Sequence, residues 1–139
     1  MIELINVSKK FQDVQALREV TSAINEGEVF GLVGTNGSGK STLLRMIAGV
    51  LKQDTGEILI DGIPVWDNPA AKADICFIPD LSYFPVNATP VTMTSIWKTI
   101  YPDFQEKRFL ELLSKIGMDK KRRINAFSKG MKKQLSLFL

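Results

Sequence analysis

One pattern of eight residues constrains this chain more than any other part of its sequence. Residues 34–41 read Gly-Thr-Asn-Gly-Ser-Gly-Lys-Ser and match G-x-x-x-x-G-K-[ST], the pattern of a phosphate-binding loop. Glycines let the backbone N–H groups of such a loop turn inward around phosphate oxygens. The helix that follows adds the positive end of its dipole.

The side chains of this pattern indicate how the loop would hold a nucleoside triphosphate. Lys40 would reach the β- and γ-phosphates, the Ser41 hydroxyl would ligate Mg²⁺, and Thr42 would contact the α-phosphate side. A glycine-rich turn before a helix is the alternative, but such a turn has no need of the lysine and the hydroxyl. The predicted nucleotide-binding residues of this stretch are Gly34, Thr35, Asn36, Gly37, Ser38, Gly39, Lys40, Ser41 and Thr42.

The apolar pattern around the loop predicts an α/β protein. Strands are predicted near 2–7, over 16–24 and 57–60, and as short buried runs at 29–33 and 75–78. Helices are predicted over 40–50, 91–101 and 104–117, and Ser128 is predicted to cap a helix that runs to the last residue. The chain is thus mixed α/β before Pro79 and mainly helical after it.

Composition excludes several classes of protein. The chain has no histidine and a single cysteine, Cys76, which excludes Ser-His-Asp and Cys-His catalysis, His- or Cys-rich zinc sites and an internal disulfide. Its 45% hydrophobic and 24% charged residues are typical of a globular protein. No apolar run approaches the ~20 residues that span a bilayer, and the N-terminus does not resemble a signal peptide. A cytosolic protein is expected, with Cys76 as an inert buried thiol.

Positive charge is concentrated in one segment. Residues 105–133 carry ten basic and three acidic side chains, a net charge of +7, whereas the rest of the chain sums to −4. Such a basic segment suits nucleic acid, anionic lipid or phosphate groups, and it is equally typical of a solvated helical surface.

Motifs on both sides of the loop narrow the class of protein. Upstream, 7–11 reads Val-Ser-Lys-Lys-Phe; downstream, 54–58 reads Asp-Thr-Gly-Glu-Ile and 127–135 reads Phe-Ser-Lys-Gly-Met-Lys-Lys-Gln-Leu. In this order the motifs resemble the ATP-binding subunit of an ABC transporter, with 127–135 in the place of its signature motif. The resemblance covers essentially the whole chain. It implies an α/β P-loop NTPase core of ABC ATPase type, with an antiparallel β subdomain and the start of an α-helical subdomain.

The resemblance also implies roles outside the loop. Phe11 would stack on adenine, with core packing as the alternative. Asp80 stands where the family usually has glutamine; it would lie at the γ-phosphate and metal side, or it is a plain residue after a strand. The resemblance implies that the protein binds ATP and Mg²⁺. Ser41 and Asp80 would coordinate the metal ion, and Asp80 is the one candidate for a catalytic group. The resemblance further implies that one stretch contacts the ATP held by a second subunit and also caps its own helix. This stretch consists of Ser128, Lys129, Gly130 and Met131.

By the same resemblance the chain is an incomplete domain with two parts. Residues 1–79 would form the nucleotide-binding core and the β subdomain, and 80–139 would hold the Q-loop position, the helical subdomain and the signature motif. The family's Walker B strand, catalytic glutamate and switch histidine follow the position that matches Leu139. The chain is therefore expected to be the N-terminal part of a longer subunit. Within residues 1–139, the strand predicted at 29–33 would then lack one neighbouring strand of its sheet.

The implied function is ATP binding and, in the longer subunit, ATP hydrolysis that drives transport across a membrane. The implied partners are a second ABC ATPase domain and a transmembrane subunit. An apolar surface of Tyr83, Phe84 and Trp97 would receive a helix of that subunit, with core packing of these aromatic side chains as the alternative. The implied location is the cytoplasmic face of the cell membrane. The alternatives are a nucleotide-binding fragment without hydrolysis and a non-transport relative that acts on nucleic acid or ribosomes. Since the sequence has no long insertion, coiled-coil heptads or zinc cysteines, no nucleic-acid partner is expected.

Overall fold

The structure, a computed structural model, describes residues 1–80 and 83–138. The chain forms two compact units, Met1–Phe77 and Ile78–Leu139. The first unit contains the phosphate-binding loop, defined as residues 34–41, and the second contains the stretch that resembles the signature motif.

The first unit is built on a four-stranded antiparallel sheet. Its strands are β1 (Ile2–Phe11), β2 (Val14–Ile24), β3 (Thr55–Ile60) and β4 (Ile63–Pro64). Their order in the sheet is β2-β1-β3-β4. The first two strands extend beyond the predicted 2–7 and 16–24, because their pairing, although irregular, reaches the tip of a tight hairpin where Gln12 takes a φ of 50°.

The β1–β2 register has three irregularities, and two of them contain a residue with positive φ. Asn6 and Glu19 have φ values of 50° and 47°, at irregularities in the β1–β2 register. The Asn6 N–H donates to Thr21 Oγ1 at 3.0 Å, and the Glu19 N–H donates to Ser8 Oγ at 2.9 Å. Side-chain hydroxyls thus replace the ladder partners that the bulges remove.

Two short helices complete the first unit. Helix α1 (Lys40–Ile47) follows the phosphate-binding loop and ends three residues before the predicted end, because the chain turns at Gly49, where φ is 63°. Helix α2 (Pro69–Lys72) begins at Asn68, whose Oδ1 accepts the Ala70 N–H at 3.1 Å. The buried core of this unit consists of Leu4, Val7, Leu43, Met46, Ile58, Val65 and Ala71.

Two segments predicted as buried strands are unpaired within the described residues and largely exposed, although Leu32 and Ile75 pack against the core of the first unit. Within the described residues, 29–33 and 75–78 lie outside the sheet, and Val29 and Val33 are 101% and 94% exposed. Cys76, predicted to be buried, is exposed as well. A strand persists only where a neighbour satisfies its backbone groups, and no described residue does so here. For 29–33, this agrees with the expectation that its sheet partner lies elsewhere.

The second unit is helical, as predicted. Its helices are α3 (Pro90–Ile100), α4 (Glu106–Lys115), a 3-10 turn (Ile124–Ala126) and α5 (Lys129–Phe138). Helix α3 begins with a capping box in which Thr89 and Thr92 exchange hydrogen bonds between side chain and backbone. The buried core consists of Ala88, Met93, Phe109, Leu113, Met118, Ile124, Phe127 and Leu135.

The aromatic surface predicted for the second unit is largely internal. Phe84 and Trp97 pack against its core, and Trp97 stacks on Tyr101 with ring centroids 5.0 Å apart. Tyr83 alone of the predicted trio is exposed. Among the helices of the described ranges, none is long and apolar enough to cross a membrane.

Candidate nucleotide site

The phosphate-binding loop has a backbone that only glycine adopts readily. Gly37 and Gly39 have φ values of 83° and 88°, in the left-handed region. A Cβ at Gly39 would lie 2.9 Å from Leu17 Cδ2 and closer still to the carbonyl oxygen of Ala16. The end of the loop is therefore packed directly on β2, and position 39 has no room for a side chain.

Lys40 folds back over the loop that precedes it. Its Nζ donates hydrogen bonds to the carbonyl oxygens of Gly34 at 2.8 Å and Thr35 at 2.6 Å, and to Ser38 Oγ at 3.2 Å. These bonds draw the loop around an ammonium group. Because a phosphate oxygen is a stronger acceptor than a neutral carbonyl or hydroxyl, the ammonium can exchange these bonds for bonds to phosphate.

The N-terminal end of α1 is open to an anion. The described residues give this end no side-chain cap, and residues 34–47 include no acidic residue. The Leu43 N–H donates to the Gly39 carbonyl oxygen at 2.9 Å, whereas the N–H groups of Lys40, Ser41 and Thr42 have no acceptor four residues earlier within the helix. These donors and the helix dipole favour a bound phosphate.

Phe11 lies at the tip of the hairpin with its ring 45% exposed, which argues against core packing. The register places it near the loop: Phe11 pairs with Val14, and Lys9 pairs with Leu17, the residue that touches Gly39. Two residues of strand span about 7 Å. An exposed ring about 7 Å along the strand from the position that pairs with Leu17 suits the base of a nucleotide whose phosphates lie in the loop.

A cation stands beside the Phe11 ring. Lys9 Nζ lies 5.6 Å from the ring centroid and donates to Asp54 Oδ1 at 2.6 Å. Hydrogen bonds from the Lys9 ammonium and the Lys10 backbone N–H hold the pKa of the Asp54 carboxyl below its usual value. Asp54 is thus an ionised partner that fixes Lys9 next to the ring.

The second unit contains the stretch that resembles the signature motif, at the start of α5. Ser128 caps the helix as predicted: its Oγ accepts the Met131 N–H at 3.2 Å, and its carbonyl oxygen accepts the Lys132 N–H at 3.0 Å. The Lys129 side chain is exposed, and a Cβ at Gly130 would have only Ser128 Oγ nearby, at 3.9 Å. The arrangement leaves an open helix N-terminus with no acidic residue between 128 and 138.

Asp80 has a partner that the sequence did not indicate. Lys133 Nζ lies 3.3 Å from Asp80 Oδ1 and 3.4 Å from the Pro79 carbonyl oxygen. The two charged residues are 53 positions apart in the sequence, so no local pattern could have paired them. The Asp80 side chain is 88% exposed.

The donors for a metal ion are few. The described residues contain no group of three or more Asp, Glu, His or Cys side chains that could hold a metal. Mg²⁺ is usually bound by one or two protein oxygens together with substrate phosphates and water, rather than by a cage of carboxylates. The Ser41 hydroxyl in the first turn of α1, beside the loop, fits that mode of binding.

Comparisons with known proteins identify a family for this chain. The family model described as "ABC transporter" matches residues 17–139. The ATP-binding protein YtrB of Bacillus subtilis (strain 168) is 38% identical over 139 residues, which are 100% of this chain and 48% of YtrB. The ATP-binding protein NatA of the same organism is 32% identical over 148 residues, 99% of this chain and 60% of NatA. The chain thus spans about half of these relatives.

Solved structures give the same picture of the fold. The structure of an ATP-binding subunit of an ABC transporter matches 99% of this chain and 60% of its own, with a TM-score of 0.81 and 26% identity. A dimeric bacterial ABC transporter cassette, MJ0796, matches 99% of this chain and 68% of its own, with a TM-score of 0.79 and 26% identity. These likenesses confirm the predicted α/β class, that of an ABC ATPase domain of which this chain covers part. The chain therefore belongs to the ABC transporter family, among its ATP-binding proteins.

Proposed function

We propose that this chain binds ATP with Mg²⁺ in the phosphate-binding loop, within a subunit whose ATP hydrolysis drives transport across a membrane. The observation that carries the proposal is the Lys40 ammonium bonded to Gly34, Thr35 and Ser38, at the open N-terminal end of α1. A loop so arranged offers inward N–H donors, a helix dipole and one mobile cation to the same anion.

Each side chain of the loop has a part in holding the nucleotide. Lys40 would move its hydrogen bonds from the loop carbonyls to the β- and γ-phosphates, and the N–H groups that begin α1 would donate to phosphate oxygens. Ser41 would offer its hydroxyl to Mg²⁺, and Thr42 would contact the α-phosphate side. When bound, Mg²⁺ supplies charge that neutralises the β- and γ-phosphates. Phe11 would stack on the adenine.

The start of α5 would serve a second nucleotide. One solved relative, with 26% identity and a TM-score of 0.76, is the ATP-binding cassette MJ0796 in a dimeric post-hydrolysis state bound to ADP and Pi. By analogy, Ser128, Lys129, Gly130 and Met131 would face the phosphates of ATP held by a second ATPase domain. The open and acid-free helix N-terminus supports this role.

A membrane-embedded subunit is the proposed second partner, at the cytoplasmic face of the membrane. The residues assigned to the contact surface differ from the predicted ones, because Phe84 and Trp97 pack against the core of the second unit. Tyr83 stays exposed, and Ile96 and Ile100 of α3 are exposed one helical turn apart. The exposed pair Ile96 and Ile100 suits a helix of such a partner, and Tyr83 is a further exposed aromatic side chain that such a helix could contact.

One observation favours the narrower alternative, in which residues 1–139 bind nucleotide without hydrolysing it. Phosphoryl transfer to water needs a group that orients the nucleophile. Asp80 is the candidate from the sequence, and its carboxylate is engaged by Lys133. We therefore assign binding to this stretch and hydrolysis to the longer protein.

Calorimetric titration of the whole protein with Mg·ATP, and separately with Mg·GTP and tripolyphosphate, tests the proposal. We expect saturable binding of Mg·ATP and weaker binding of tripolyphosphate, which lacks the base. Absence of Mg·ATP binding by the folded protein would overturn the proposed function. Binding without phosphate release would support the narrower alternative.

A further inference from the structure

A run of four basic residues connects α4 to the 3-10 turn of the second unit. Residues 120–123 read Lys-Lys-Arg-Arg, and all four are exposed. We call this run the basic loop. Like charges on consecutive residues repel each other and destabilise the folded chain unless an anion compensates them. The proposed nucleotide site makes no use of the basic loop, so its charge has no explanation in that function.

The part of the chain that the structure describes gives the basic loop no counter-ion. No ion pair of the described residues involves residues 120–123. Asp119 is the neighbouring acid, but its carboxylate accepts the Lys121 backbone N–H at 2.9 Å. Helix α4 differs, because Glu106 and Glu111 alternate with its cations and Glu106 forms an ion pair. The charge of the basic loop is thus left for a partner.

Hydrogen bonds fix the backbone of the basic loop on the segment that leads into α3. The Val91 N–H donates to the Lys120 carbonyl oxygen at 3.2 Å, and the Ile124 N–H donates to the Ala88 carbonyl oxygen at 2.9 Å. Ile124 is fully buried in the core of the second unit. Because the backbone is held at both ends of the loop, a partner would meet cations on a fixed support.

One of the four cations is engaged within the unit. The Arg122 guanidinium donates to the Ala126 carbonyl oxygen at 2.9 Å and lies 5.9 Å from the ring centroid of Phe127. The other three side chains have no hydrogen bond, ion pair or ring contact in the described ranges. These side chains, which we call the loop cations, are those of Lys120, Lys121 and Arg123.

Two exposed valines flank the loop cations. Val91, which bonds to Lys120, is 37% exposed. Val86, whose carbonyl oxygen accepts Asn125 Nδ2 at 2.6 Å, is 70% exposed. Apolar side chains beside cations suit the surface of an anionic membrane, where charged headgroups adjoin acyl chains. Aromatic rings that stack on bases would favour nucleic acid instead, and residues 85–91 and 120–126 contain no aromatic residue.

We propose that the basic loop, together with Val86 and Val91, binds the anionic phospholipids of a membrane surface. The lipid phosphates supply the negative charge that the loop lacks, and the two valines enter the boundary between headgroups and acyl chains. Each Lys or Arg close to an anionic membrane strengthens binding about fivefold. This inference goes beyond the proposed function, because it adds a lipid contact to the protein partners and requires no bound nucleotide.

Sedimentation of the whole protein with vesicles tests the proposal. One set of vesicles consists of phosphatidylcholine alone, and the other contains the anionic lipid phosphatidylglycerol as well. We expect the anionic vesicles to bind the protein at least about tenfold more tightly. Binding should weaken as NaCl rises from about 0.1 to 1 M, because the screening length shortens from about 10 to 3 Å. Equal binding to both sets of vesicles would overturn the proposal.

A charge-matched pair of variants locates the lipid contact. Changing the three loop cations together to Gln should weaken binding to anionic vesicles roughly a hundredfold. The control changes three exposed cations of α4 to Gln and should weaken binding much less. Its positions are Lys107, Arg108 and Lys115. Equal losses would show that net charge and not the basic loop decides binding. Urea unfolding should give both variants the stability of the wild type.

A second pair of variants tests the valines. Val86→Thr with Val91→Thr keeps the shape of both side chains and should weaken vesicle binding about two- to fivefold. Val14→Thr, at an exposed valine of the first unit, should leave it unchanged. Titration with duplex DNA is the competing measurement. Tighter binding to DNA than to anionic vesicles, with no effect of the threonine changes, would overturn the lipid assignment in favour of nucleic acid.

These tests are independent of the proposed function. The variant without the loop cations should bind Mg·ATP like the wild type, since the loop lies outside the phosphate-binding loop and its unit. If the wild type bound no Mg·ATP, the proposed function would fail, and vesicle binding would still decide this inference. If Mg·ATP bound and the loop variant kept full vesicle binding, this inference alone would be wrong.

Discussion

The carbonyl oxygen of Ala16 in β2 lies directly against Gly39 at the end of the phosphate-binding loop, in the space that a Cβ at position 39 would need. The antiparallel sheet thus sets the position of the loop. The same hairpin carries Phe11 at its tip. The base of a nucleotide would therefore meet the hairpin, and the phosphates would meet the loop that packs on the same hairpin.

Gly39→Ala should displace the loop and weaken Mg·ATP binding at least about tenfold, which is ~1.4 kcal/mol. The cause is the collision with Ala16 together with the strain of a φ of 88°. Gly27→Ala is the matched control, since Gly27 has a φ of 76° and nothing within 4 Å of the added Cβ. It should cost about 1–2 kcal/mol of stability and leave the affinity unchanged. Calorimetry and urea unfolding measure the two quantities.

Lys40→Ala should weaken Mg·ATP binding at least about tenfold, because the phosphates lose their one mobile cation. Lys52→Ala removes an equal charge from the same unit, where Lys52 lies over the ring of Trp66 at 5.8 Å. This control should bind Mg·ATP like the wild type. Unchanged affinity in a folded Lys40→Ala variant would refute the assignment of the loop.

Phe11→Ala should weaken ATP binding about fivefold or more, because stacking on a base contributes ~1–3 kcal/mol. Tripolyphosphate binding should change much less, since that ligand has no base. Val14→Ala, at the position that pairs with Phe11, controls for damage to the hairpin. Equal losses of affinity for both ligands would mean that the Phe11 ring contributes to folding and not to base recognition.

Gly56→Ala should destabilise the first unit strongly. An added Cβ would collide with the carbonyl oxygens of Ile5 and Asn6, next to a bulge, and φ is 81°. Gly62→Ala is the control, with a φ of 76° and open space around the Cβ. Both changes carry a strain of about 1–2 kcal/mol, and the collision at Gly56 adds about 1–3 kcal/mol. Equal losses of unfolding free energy for Gly56→Ala and Gly62→Ala, measured in urea, would contradict this contact.

The segment 29–33 should make the 139-residue polypeptide, expressed alone, associate with itself. Val29, Phe30 and Val33 are exposed, and the segment lies outside the sheet of the described residues, which makes it a template for another chain. Sedimentation should show association that rises with concentration. Changing Val29 and Val33 together to Lys should suppress it, and Val14→Lys, at another exposed valine, should not. A wild-type monomer at every concentration would contradict the prediction.

The sequence by itself determined the elements whose signals are local. The phosphate-binding loop, the helix after it, the Ser128 cap and the strand segments near 2–7, 16–24 and 57–60 all follow from residues within a few positions of each other. Capping and helix periodicity depend on such neighbours. The order of the motifs was sufficient to identify the family.

Only the tertiary structure decided burial and pairing between distant segments. The apolar runs at 29–33 and 75–78 predict buried strands, yet a strand also requires a partner, and hydrophobicity does not say where that partner lies. Cys76 was placed in the core for the same reason and is exposed. The ion pair between Asp80 and Lys133 joins positions that no periodic pattern connects. Such contacts depend on how the chain returns to itself, because each forms only when two remote segments are brought within a few ångströms.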